Sequence, residues 1–237
     1  MTDPNKKMGM AHENLDQKAY LIIKEMITDR RLAPGEKICQ EKMAAELGIS
    51  RTPLISALKY LEKEKLVETK PRRGFFVRAF DLHEMVNIFE LREVLEGLTA
   101  RRAAHMVTDQ QIDELRRFFS EFTGKGPVAS YRDYSREDRR FHNYVTQIAA
   151  REFLESILST CNIISFSYQY AATEGLVRAP DETLGEHLAI VDAICNRDPE
   201  AAETMMRRHF RRSIAYLRIR IEKESEGLRL ETGKNDS

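Results

Sequence analysis

The sequence is short of several things, and each absence closes a class. No run of about 18 apolar residues occurs along the chain, so no membrane-spanning helix is expected. The opening residues MTDPNKKMGMAHENLD are polar and hold no apolar core of the kind a secretory leader needs. Cysteine is scarce: Cys39, Cys161 and Cys195 stand far apart and are odd in number. They read as reduced core residues of a cytoplasmic protein rather than as a disulfide framework. There is no glycine-rich phosphate loop, no Ser or Cys nucleophile paired with a free His, and no internal repeat. Net charge is absent too, with 38 Lys and Arg against 38 Asp and Glu.

That balance hides an asymmetry. Residues 1–79 hold 16 Lys and Arg against 11 Asp and Glu, and the remainder 22 against 27. A basic segment joined to an acidic one suggests an anionic partner at one end and a different task at the other. At 42% hydrophobic and 32% charged, the chain has the composition of a globular protein large enough for one big domain or two modest ones.

In the basic segment, Leu15, Ala19, Ile22, Ile23, Met26 and Ile27 recur at helical spacing and predict a helix over 15–31. Pro34-Gly35 stops it. QEKMAAEL predicts a second, short helix closed by Gly48. Ser50 or Thr52 can cap a third, with Pro53 in its first turn and Leu54, Ala57, Leu58 and Leu61 buried. LVETK and FFVRA then read as strands around the turn Pro71-Arg72-Arg73-Gly74. Helix, helix, turn, helix, hairpin is the order of a winged helix-turn-helix. The third helix would enter a major groove, with Arg51 and Thr52 at its N-terminus, where free N–H groups suit phosphate. Arg72 and Arg73 at the hairpin tip would reach an adjacent groove or backbone. A solvated helix and an ordinary surface turn would show the same residues.

From residue 80 the strand signals stop. Helical periodicity takes over through Met85–Leu98, Ile112–Phe122, Phe141–Ile148, Leu154–Ile164, Leu184–Ile194 and Met205–Leu217. About six helices are expected, in an all-α bundle with antiparallel neighbours. The fold class is therefore mainly α, with a winged helix-turn-helix domain over 1–79 and a helical domain over 80–237.

Some polar residues sit on the apolar stripes. Asp138 and His142 are four apart on one face. His187 and His209 fall on inward stripes of the last two helices. Each lies 11 residues from Asp198 in the turn NRDP, which puts them at one level of an antiparallel pair. One carboxylate and three imidazoles suit a divalent transition metal, Zn, Ni, Cu or Fe before Mg or Ca, with Zn or Ni foremost. A lone His on such a stripe is usually a hydrogen-bonded core residue, and that reading stays open. His12, His83 and His105 read as surface. Arg92 shares a face with Met85, Phe89, Leu95 and Thr99. A guanidinium aimed inward needs an anion. Either a glutamate of the protein or a ligand carboxylate would serve.

RLAPGEKI, GISRTPLISALKYLEKEKLV and PRRGFFV resemble the DNA-binding domain of GntR-family transcriptional regulators. The resemblance implies DNA contacts by Arg51, Thr52, Arg72, Arg73 and Gly74, with Lys59 a further phosphate candidate. Ile55-Ser56 stand where the family usually has an Arg-Glu pair, which removes one cation from the reading face. FELREVLEGLTARRAA, EDRRFHNYV and GEHLAIVDAICNRDPEAAETMMRRHF resemble the FCD effector domain of the FadR-type subfamily. That likeness implies a metal on Asp138, His142, His187 and His209 and a small organic acid held by Arg92. A homodimer on a pseudo-palindromic double-stranded operator is expected, because one reading helix covers only a half-site. Arg151 stands where the family often has Asn. A metal sensor, a purely structural metal and a metal-dependent enzyme are the rival readings. For the enzyme, Glu93 and Glu96 lie near but in no motif that makes either a base.

Overall fold

The structure, a computed structural model, describes residues 10–124, 126–149, 154–158, 160, 161 and 176–232. The chain forms two compact units, Met1–Phe80 and Asp81–Ser237.

The first unit runs α1 (Met10–Thr28), α2 (Gln40–Leu47), α3 (Arg51–Lys63), β1 (Val67–Lys70) and β2 (Gly74–Val77). Gly48 ends α2 in the left-handed region at φ 64°, where its N–H turns back to the carbonyls of Ala44 and Ala45. Ser50 takes the N-cap of α3 in extended geometry, yet its side chain makes no capping bond. Leu54, Ala57, Leu58 and Leu61 of α3 are fully buried. Ile23 and Ile27 of α1 are buried as well, so apolar burial positions α3. A polar clasp adds to it: Tyr20 Oη donates to Glu64 at 2.5 Å, and Lys24 Nζ donates to the same carboxylate at 2.8 Å. The strands pair antiparallel in the register Val67↔Val77 to Lys70↔Gly74. Arg72 at φ 61° and Gly74 at φ 90° turn the hairpin.

Two expectations for this unit fail. Leu15 and Ile22 are each 40% exposed, so only part of the predicted stripe of α1 is core. Cys39 is exposed just before α2, unlike the buried Cys161 and Cys195, and all three are free thiols.

The second unit runs α4 (Leu82–Met106), α5 (Asp109–Leu115), a 3₁₀ turn (Ser120–Phe122), α6 (Tyr131–Ala149), a helical stretch within 154–161, α7 (Pro180–Cys195) and α8 (Pro199–Thr232). Reciprocal capping boxes start α4 (Asp81 with Glu84) and α5 (Thr108 with Gln111). Pro180 opens α7. The α7–α8 hairpin closes through Asp198, whose N–H reaches the Ala193 carbonyl and whose carboxylate accepts from Ala201 N–H, both at 3.0 Å. No helix among the described residues is long and apolar enough to cross a membrane.

The helix expected over 112–122 stops at Leu115. Phe119 breaks it with φ 62°, a left-handed conformation costly for a bulky side chain. His83 and His105 are exposed as expected. Ile164, Arg151 and the side chain of His12 lie outside the described residues.

Close approach of α4 and α8 depends on Gly97. A Cβ there would sit 2.7 Å from Cγ of Arg207, near the root of a side chain that also bonds Glu203. Gly97→Val is therefore expected to lower stability by about 1–3 kcal/mol, read by thermal or denaturant unfolding.

Candidate functional site

On the first unit, Arg51, Thr52 and Lys59 are exposed along one side of α3, with Ile55 and Ser56 half-buried between them. Arg51 Nη1 lies 4.0 Å from the exposed Glu41 carboxylate, a loose pairing that leaves its charge available. Arg72 and Arg73 are exposed at the hairpin tip, and Gly74 is half-buried beneath them. The Arg73 guanidinium rests over the Phe76 ring at 5.6 Å, and Lys70 Nζ over the same ring at 4.7 Å. This stacking holds the basic tip against a buried aromatic anchor.

On the second unit, His142 of α6, His187 of α7 and His209 of α8 converge. One ring nitrogen from each lies within 4.8 Å of the other two, and all three side chains are buried. Asp138 joins them, its Oδ1 3.2 Å from His187 Nε2, though the pair lacks the alignment of a hydrogen bond. The four residues singled out by sequence spacing therefore lie close together.

The surroundings select which nitrogen faces inward. His142 Nδ1 bonds Glu96, His209 Nδ1 bonds Glu186 at 2.8 Å, and His187 Nδ1 bonds the Tyr134 hydroxyl at 2.9 Å. An ionised carboxylate can only accept, so the Nδ1 atoms of His142 and His209 carry the proton and Nε2 keeps its lone pair. For His187 the same tautomer follows when the Tyr134 hydroxyl donates its hydrogen bond to Thr183 Oγ1, 2.8 Å away, and accepts from His187 Nδ1. Phe119 stacks on the His187 ring, centroids 4.7 Å apart and planes within 2°. Its strained backbone delivers that ring. Among the described residues His187 Nε2 is buried with no hydrogen-bond partner. A buried nitrogen without a partner is costly unless something else fills its lone pair.

Electrostatics favour the neutral imidazole at His187 and His209. Burial, then the neighbouring His209 and His142, push His187 well below the usual histidine range. Burial also lowers His209, against the opposing bond from Glu186. Burial alone would raise the Glu96 carboxyl, but Arg92 and His142 outweigh it and hold it down at about 2. Glu186 is likewise lowered, since bonds from His209, Arg178 and Arg212 overcome its burial. Three convergent imidazole nitrogens, one of them with no hydrogen-bond partner among the described residues, and a neighbouring carboxylate fit a divalent transition metal.

Arg92 answers both readings of its sequence position. Its Nε donates to Glu96 Oε1 at 2.6 Å, so a glutamate of the same helix is its partner. Among the described residues its Nη2 is nonetheless buried without a hydrogen-bond partner. It borders a cavity of about 40 Å³, whose walls include Asp138, His142, Arg178, His209 and Ser213.

Arg178 was not foreseen. It forks onto Glu186 with Nη1 at 3.0 Å and Nη2 at 2.5 Å, and its Nε donates to Ser213 at 3.1 Å. It sits in a non-helical segment before α7, where periodicity says nothing. Tyr134, Thr183 and Glu96 carried a usable signal: each lies four residues from a site residue on the same helix face.

A winged helix with exposed cations on its third helix and at its hairpin tip, joined to a helical unit built round a buried polar cluster, defines a DNA-binding regulator with a second, all-α domain. The chain belongs to the gntR family of bacterial regulatory proteins, matched over residues 15–77, and carries an FCD domain, matched over 87–212. It is 27% identical over 200 residues to the HTH-type transcriptional repressor RspR of Escherichia coli strain K12, covering 82% of this chain and 85% of that one. It is 32% identical over 146 residues to the Nta operon transcriptional regulator of Aminobacter aminovorans, covering 62% and 68%. The crystal structure of a GntR-type regulator from Rhodococcus sp. RHA1 superposes with a TM-score of 0.72 at 17% identity, over 85% of this chain and 96% of that one. The family and these relatives are transcriptional regulators, not enzymes.

Proposed function

We propose that the protein is a cytoplasmic transcriptional regulator whose operator binding responds to a small carboxylate bound beside a metal in the FCD domain. The observation that carries this reading is a pair of buried orphans. Among the described residues His187 Nε2 and Arg92 Nη2 both lack hydrogen-bond partners, and His142, His209 and Asp138, which lie against His187, line the cavity that Arg92 borders. A cation satisfies the first and a carboxylate the second, and one carboxylate can bridge the two, with one oxygen on the cation and the other on Arg92. Asp138, His142, His187 and His209 would hold the metal, Zn or Ni, whose charge would fix one oxygen of the effector while Arg92 fixes another.

The winged helix would read DNA with Arg51, Thr52 and Lys59 on α3 and with Arg72, Arg73 and Gly74 at the wing. One reading helix covers a half-site, so a homodimer on a pseudo-palindromic operator follows. Effector binding would shift the population of domain arrangements and so the separation of the two reading helices. The test is operator affinity of metal-loaded protein, on a duplex selected from a random pool, with and without a panel of small carboxylates. Unchanged affinity at saturation by every compound that binds would sink the effector reading.

Arg51→Ala is expected to weaken binding to the selected operator and to random duplex alike, and to reduce the slope of log affinity against log salt by about 1. A loss confined to one operator base pair would instead make Arg51 a base-reading residue.

A further inference from the structure

Arg92 and His142 share one carboxylate. Glu96 Oε1 accepts from Arg92 Nε at 2.6 Å, and Oε2 accepts from His142 Nδ1. All three side chains are almost wholly buried, so water cannot stand in for either bond. The pairing of Arg92 with Glu96 lies within α4, as i and i+4. The second oxygen serves a different helix, because His142 belongs to α6. One residue thus orients both the guanidinium that borders the cavity and an imidazole of the cluster.

We propose that Glu96 is the positioning residue that couples carboxylate binding at Arg92 to metal binding at His142, so that the two ligands bind cooperatively. This rests on the metal and effector reading above. The physical chain has two steps. An ionised Glu96 fixes the His142 proton on Nδ1 and leaves Nε2 free as a ligand. A carboxylate on Arg92 Nη2 draws part of the guanidinium charge away from Glu96. Glu96 then becomes a stronger acceptor for His142, which makes that imidazole a better metal ligand. Linkage makes the effect reciprocal, so bound metal strengthens carboxylate binding by the same factor.

Glu96→Gln separates this role from simple packing, because it keeps the shape and changes the donor pattern. Arg92 Nε can only donate, so it takes the amide oxygen. The amide NH₂ is then turned toward His142 Nδ1, which must accept, and the proton moves to Nε2, the nitrogen the metal needs. The experiment uses the full chain with zinc as the metal and acetate as the carboxylate probe, at constant ionic strength. Zinc affinity is measured by competition with a chromophoric chelator. The histidine tautomers of the metal-free protein are read by ¹⁵N NMR.

Wild type is expected to bind zinc about fivefold or more tightly in acetate. The Gln variant is expected to lose about 10- to 100-fold in zinc affinity, to lose the acetate gain, and to show His142 protonated on Nε2. Should it melt well below wild type, Glu96→Asp, which keeps the charge, is expected to hold the Nδ1–H tautomer. A Gln variant with wild-type zinc affinity and an unchanged tautomer overturns the role of Glu96. Wild-type zinc affinity that ignores acetate overturns the cooperativity. A wild type that takes up no zinc overturns the metal reading on which both stand.

Discussion

His187→Ala protein is expected to leave purification with almost no transition metal, where wild type carries about one ion per protomer, read by mass spectrometry of the metal content. The reason lies in the tautomers. His142 and His209 give up Nδ1 to carboxylates, and His187 gives up Nδ1 to Tyr134 when that hydroxyl donates to Thr183, so that all three then present Nε2. His187 has the deepest commitment of the three: it is fully buried, stacked on Phe119, and in contact with the Asp138 carboxylate. Its loss removes one nitrogen and also the neighbour that faces the Asp138 carboxylate. Changing a residue that merely orients a ligand costs about 10- to 100-fold in metal affinity, so removing the ligand itself should cost more. Metal that binds only the folded state also stabilises it. A strong chelator should therefore lower the melting temperature of wild type and leave that of His187→Ala unmoved. Equal metal in both proteins, or no uptake of added Zn or Ni by either, would return the histidines to the status of polar core groups. The effector site would then rest on Arg92 alone.

The cluster was legible because its residues obey simple periodicities. Asp138 and His142 differ by one helical turn, and His187 and His209 are equidistant from Asp198 in a tight α7–α8 hairpin. Distance along two antiparallel helices converts directly into height, and the hairpin left no slack in the conversion. What could not be read depends on elements without a period. Arg178 reaches Glu186 and Ser213 from an irregular segment. Helical spacing of Ile112, Leu115, Phe118, Phe119 and Phe122 predicts a helix through Phe119. The demand that overrides it is tertiary: the Phe119 ring must lie flat on His187, and a left-handed residue brings it there. The exposure of Leu15 and Ile22 has a related cause, since α1 presents only one side to α3 and its apolar residues outnumber the positions on that side.

Arg92→Ala and Arg92→Lys are expected to fail in different ways, and the difference separates a structural arginine from a ligand-binding one. Removing the side chain leaves Glu96 buried and ionised beside His142 without its strongest cation. Breaking a buried pair from one side costs about 3–5 kcal/mol, so the Ala variant should unfold markedly earlier. The Lys variant keeps a charge that can reach Glu96, and its loss of stability should be much smaller. Lysine has no planar fork, however, and cannot bond Glu96 with one nitrogen while presenting another to a carboxylate. Operator affinity of the Lys variant should match wild type in the absence of effector and should no longer change when effector is added. If the Lys variant instead responds like wild type, Nη2 is not the effector's partner. Arg92 would then be an ion pair to Glu96 and nothing more, and the carboxylate would have to be sought on the metal side of the cavity, where Asp138 and His142 line it.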